Sequence, residues 1–96
     1  MKTLILRDIV KNSSSVEEGL ILFNHLKSAY LKNSTILLVV DSEMSLSSSF
    51  LNSSVGAFLD DYGFTNFKST VKFKGSKTQF QRFNKYLKNY NDLYLA

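Results

Sequence analysis

The sequence contains no cysteine, no proline and no tryptophan, and it has a single histidine, His25. Without cysteine there is no disulfide, no thiol nucleophile and no thiolate-bound metal. One histidine cannot build a multi-histidine metal site, so neither a metal nor a cofactor is expected. Glycine is scarce as well. Gly19, Gly56, Gly63 and Gly75 stand singly, which excludes a glycine-rich phosphate loop and a dinucleotide fingerprint. The G-x-S-x-G elbow of serine hydrolases is absent. No apolar run approaches the roughly 18 residues of a membrane span. The opening MKTLILRDIV is interrupted by Arg7 and Asp8, too early for the apolar core of a signal peptide. These absences predict a soluble, cytoplasmic protein that is not an enzyme and does not engage a membrane.

What is present is enough for one core. Apolar residues make up 44% of the 96 positions and aromatics 14%, which argues for one folded domain over residues 1–96 rather than disorder. The net charge of +4 is unevenly spread. Residues 1–48 hold five bases and five acids, whereas residues 68–88 hold seven bases and no acid. Such asymmetry suggests an acidic partner or nucleic acid. Ten of the twelve bases are lysine, and arginine is the usual reader of bases and phosphates. The wealth of Lys, Asn, Ser, Phe and Tyr also resembles the product of an AT-rich bacterial or phage genome.

Three strands and three helices alternate along the chain. Residues 3–9 read as a strand. Ser15, followed three positions later by Glu18, fits a capping box, and Val16, Leu20, Phe23, Leu26 and Tyr30 follow at helical spacing. Residues 36–40 are apolar throughout, the pattern of a strand covered on both faces. Leu51, Val55, Phe58, Leu59 and Tyr62 mark a second helix, stopped at Gly63. Residues 70–74 alternate, with Val71 and Phe73 on one side and Lys72 and Lys74 on the other, as in a strand with one wet face. Ser76 and Gln79 form another capping box. Phe80, Phe83, Leu87, Tyr90 and Tyr94 give a third helical face. The order is βαβαβα. It predicts a small α/β domain of two or three layers, with mainly parallel strands joined by right-handed crossovers.

Between the central strand and the second helix lies MSLSSSFLNSS, residues 44–54, six of whose eleven residues are serine. Serine is a strong N-cap, and Ser47 or Ser48 is the expected one. The stretch lies beyond the carboxyl end of a central strand, where open α/β sheets usually bind. A helix N-terminus there also favours an anion, including a phosphate carried by the serine itself.

Residues 39–75, VVDSEMSLSSSFLNSSVGAFLDDYGFTNFKSTVKFKG, resemble the STAS-like domains of small bacterial proteins. The shared pattern is an apolar strand ending in Asp, then Ser-Ser-Phe, a helix stopped near a glycine, and a hydrophobic-Lys-Phe-Lys strand. Asp41, Ser48, Ser49, Phe50, Gly63, Val71, Lys72, Phe73 and Lys74 carry it. The family is similar to anti-sigma-factor antagonists, which bind a kinase-like ATPase and are switched by phosphorylation of a serine at this helix start. The resemblance implies a regulatory protein-interaction module with Ser48 at the switch position and Asp41, Ser47, Ser48, Ser49 and Phe50 on the partner surface. Ser47 and Phe50 stand where the antagonists carry an acid and a glycine, and the usual N-terminal hairpin is reduced to one strand.

Two other readings compete. Lys72, Lys74, Lys77, Lys85 and Lys88, with Tyr86 and Tyr90 as stacking platforms, could track the phosphates of a nucleic acid, or the basic segment could dock on an acidic protein. A phage or mobile-element inhibitor could use the same fold to block a host protein. His25 lies mid-helix beside an apolar face, the place of a packed or half-exposed residue rather than a catalytic base. Asp41 and Glu43 read as turn residues in preference to a metal or acid–base pair.

Overall fold

Three short strands, β1 (Lys2–Ile5), β2 (Ile36–Val39) and β3 (Val71–Lys74), pair in parallel in the order β1-β2-β3. They are seen in a computed structural model that describes residues 2–95 and the side chains of residues 2–90. The register sets Leu4 beside Leu38 and Phe73, and Lys2 beside Ile36 and Val71. Leu4, Ile36, Leu38, Val40 and Val71 are buried in one cluster with Leu22, Leu26, Phe50, Val55, Phe58, Phe67 and Phe83. Two successive right-handed crossovers that advance in the same direction place their helices on one face of the sheet. The result is a small two-layer α/β domain.

A single helical turn, α1 (Leu6–Ile9), follows β1 directly. The expected strand over residues 3–9 therefore stops at Ile5, because the chain must bend to bury Leu6 and Val10 in the same core. Helix α2 (Val16–Leu31) begins as expected at Ser15, whose hydroxyl accepts from the Glu18 amide at 3.3 Å. The box is only half made. The Ser15 amide donates to Asn12 Oδ1, and Glu18 Oε2 is buried with no hydrogen-bond partner among the described residues. The buried face of α2 is Gly19, Leu22, Leu26 and Ala29. Val16 and Leu20, expected in the core, are 48% and 47% exposed. Apolar side chains surround this helix, so their spacing alone leaves its rotation open.

The second crossover is less regular than one helix. It comprises α3 (Ser48–Leu51), a π-helical turn over Asn52–Gly56, α4 (Ala57–Tyr62) and α5 (Phe64–Thr70). Ser53 and Ser54 both donate to the Phe50 carbonyl, at 3.1 and 2.7 Å. Such back-bonding competes with the helical ladder and coincides with the wide turn. Gly63 ends α4 as expected, with φ +86°, and its carbonyl accepts the Phe67 amide at the start of α5. The sequence pattern predicts no helix over residues 64–70.

Helix α6 (Lys77–Leu95) closes the same layer. Its capping box is reciprocal: Gln79 N–H donates to Ser76 Oγ and the Ser76 amide to Gln79 Oε1, both at 3.2 Å. Phe83 is buried and stacks on Phe73 of β3 at 4.5 Å between centroids. Phe80, expected on the core face, is exposed. The side chain of Tyr94 lies outside the described residues.

The expectation that β2 is covered on both faces does not hold. Leu37 and Val39 are only half-buried, and no side chain in the rows Thr3–Leu37–Lys72 and Ile5–Val39–Lys74 is buried. Among the described residues no helix is long and apolar enough to cross a membrane.

Candidate functional site

The serine stretch does lie beyond the carboxyl ends of the strands. Val40 continues the ladder by donating to the Lys74 carbonyl, and Asp41 then turns the chain. Its carboxylate takes the Arg7 guanidinium at 2.6 Å and accepts the Glu43 amide at 3.4 Å, while its carbonyl accepts the Met44 amide. Asp41 is thus a turn-forming residue held by Arg7, with its side chain only 26% exposed.

Gln79, from the start of α6, holds the loop from below. Its side-chain nitrogen donates to the Asp41 carbonyl and, at 2.6 Å, to the Met44 carbonyl. The residue is buried, so both carbonyls exchange water for a fixed amide. From its spacing to Ser76, Gln79 is expected to act as a cap alone. Its reach to a loop 35 and 38 residues earlier leaves no local trace.

From the side, the loop is bound to the segment before α2. Ser13 donates to the Ser45 carbonyl, the Ser47 amide donates to the Ser13 carbonyl, and Ser47 Oγ donates to the Ser14 carbonyl at 3.0 Å. The starts of α2 and α3 therefore lie side by side. Ser47, not Ser48, is the N-cap of α3: its hydroxyl accepts the Phe50 amide at 3.1 Å. A hydroxyl has one proton and two lone pairs, so Ser47 is engaged as donor and acceptor at once.

Ser48 and Ser49, by contrast, are exposed, and no described residue hydrogen-bonds to either hydroxyl. No acid occupies the first turn of α3, so nothing local offsets the positive end of its backbone dipoles. Phe50 does not join them on the surface. It is 0% exposed in the core, which corrects its assignment as a partner contact. Its role is to anchor the turn that carries the two free serines. Close packing continues below: a Cβ on Gly19 of α2 would come within 2.7 Å of the Phe50 carbonyl and would collide with Ser53 Oγ.

The basic residues do not gather into one stripe. Lys72 and Lys74 project from the sheet face opposite Val71 and Phe73, whereas Lys77, Lys85 and Lys88 are exposed on α6, which packs against the Phe73 side. Tyr86 and Tyr90 are half-buried, and their hydroxyls donate to Asn52 Oδ1 and Asp60 Oδ1. This ties α6 to the second crossover and gives Asp60 a partner at an otherwise unfavourable helix end. His25 is half-buried on α2, beside Ile21, Asn24 and Ser28, and forms no hydrogen bond with the serine loop.

A family model described as a STAS-like domain of unknown function matches residues 18–79, which spans α2, β2, the serine loop, the second crossover, β3 and the start of α6. No curated protein matches the chain, and no solved structure does. With the parallel sheet, the one-sided helical layer and the Asp41-to-Ser49 loop in place, the chain belongs to the family of STAS-like domains.

Proposed function

We propose that the protein is a non-enzymatic regulatory module that binds another protein through residues 42–49 and the first turn of α3. The proposed partner is a kinase-like ATPase or another regulator of a sigma factor, with Ser48 as the switch. One observation carries the reading. Ser48 is exposed and its hydroxyl bonds to no described residue, while the loop beside it is held by Arg7, Gln79 and the Ser13–Ser14 carbonyls. A rigid mounting with a free hydroxyl lowers the ordering cost of binding and leaves the oxygen open to modification. A phosphate there would meet the uncompensated amides of the α3 start. Hydrolysis by these serines lacks support, because His25 is not within their hydrogen-bonded set.

The test compares three forms of the protein as bait in native lysate: wild type, Ser48→Ala and Ser48→Asp. The aspartate should strip the retained partner, because an interface charge without a mate must be desolvated. The alanine should keep it. Equal retention of the same proteins by all three forms contradicts the proposal.

A further inference from the structure

Parallel sheets are normally covered on both faces, and among the described residues this one is covered on one. The open side has two complete rows, Thr3–Leu37–Lys72 and Ile5–Val39–Lys74, set by the register. Its centre is apolar: Leu37 and Val39 are half-buried and Ile5 is 37% exposed. Along β3 it carries the two ammonium groups of Lys72 and Lys74, both exposed. No acid stands among the six residues. Asp41, just past the carboxyl end of β2, is paired with Arg7 at 2.6 Å. Among the described residues Lys72 Nζ reaches only the Lys68 carbonyl, at 3.3 Å, and makes no ion pair.

We propose that this open face docks an amphipathic helix of a partner protein, with an apolar stripe over Ile5, Leu37 and Val39 and a row of carboxylates facing Lys72 and Lys74. The size fits. Three strands at about 4.8 Å spacing put the outer two about 10 Å apart, and one α-helix with its side chains is about 10–12 Å across. The charge selects among occupants. The face is asymmetric, apolar on β1 and β2 and cationic on β3, which matches a helix whose acids lie on one flank. A second copy of the chain would bring its own lysines and the same net charge of +4. A nucleic acid would leave the apolar centre uncovered by anything it attracts. The surface does not depend on Ser48 and lies on a different part of the molecule, so the two proposals fail separately.

The probe is a displayed library of helices of about 14 residues with a fixed apolar stripe and randomised flanks, selected against the intact protein. Enriched helices should carry Asp or Glu on one flank and should perturb the amides of residues 3, 5, 37, 39, 72 and 74. The double variant Lys72→Glu/Lys74→Glu, altered only at exposed positions, should lose more than about tenfold in affinity for them, since like charges across an interface cost several kcal/mol. It should instead enrich basic flanks. Lys88→Glu, on α6, should change nothing. The proposal is overturned if no helix is enriched, if flank charge is random, or if the double variant binds as before. It is also overturned if the same amides respond instead to a short DNA duplex at near-physiological salt or to a rise in protein concentration.

Discussion

The two serine-capped helix starts, SSSVEE before α2 and SSSFLN before α3, look alike and are built for different ends. Both caps accept an amide three residues on, Ser15 from Glu18 and Ser47 from Phe50. The first start fills its opening turn with its own carboxylates, Glu17 and Glu18, and so compensates its dipole locally. The second has no acid in its first turn and exposes two hydroxyls there. The two starts are tied to each other through Ser13, Ser14, Ser45 and Ser47; the first adds local bonds to its neighbour Asn12, whereas the loop before the second adds bonds to Arg7 and Gln79, far away in sequence. A serine-rich start that spends tertiary contacts on its placement, yet exposes Ser48, is the feature on which the proposed partner contact rests.

The largest predicted effect breaks the contact between the two starts. Gly19→Ala would drive a methyl into the Phe50 carbonyl and Ser53. It should cost about 3 kcal/mol, the upper part of the range for overpacking, read as a shift in the urea unfolding midpoint. Next comes Gln79→Ala, which removes both side-chain bonds to the loop carbonyls. A loss of about 1–3 kcal/mol is expected. Faster amide exchange should appear at residues 44–48, and at Ser76, whose amide the Gln79 side chain also accepts, but not at residues 13–18, because of the two serine-rich starts only that of α3 bonds to Gln79.

A smaller effect sharpens the comparison of the caps themselves. Ser47→Ala and Ser15→Ala should each cost about 0.5–2 kcal/mol. Ser47→Ala should cost more, since that hydroxyl also donates to Ser14. The smallest effect is Ser48→Ala, within about 0.5 kcal/mol of wild type. A loss as large as that of Ser47→Ala would make Ser48 a structural residue.

Much of this was legible in the sequence, wherever the cause is local. Capping serines, the stop at Gly63 and the alternation of Val71 to Lys74 each depend on a few neighbouring residues, and each is found where expected. Features set by distant partners were not legible. The rotation of α2 is decided by the close approach of Gly19 to Phe50, and Leu20 is left outside as a result. The helical turn over Leu6–Ile9 exists because Leu6 and Val10 reach one core that a straight strand could not offer both. An all-apolar β2 suggested two covered faces, but the helices all fall on one. At the candidate site, the sequence placed Ser48 and Asp41 beyond the carboxyl end of β2, where they are found, and wrongly put Phe50 on the surface, since an aromatic beside serines carries no mark of which way it points.

The most direct measurement places the same charge on the same first helical position of each start: Val16→Asp in α2 and Ser48→Asp in α3. Both positions are exposed and both favour an acid, so each variant should unfold within about 1 kcal/mol of wild type. Partner retention from native lysate should then separate them. The account predicts that Val16→Asp keeps the partner and Ser48→Asp loses it. If both variants retain it equally, or both lose it equally, the start of α3 is not the binding surface.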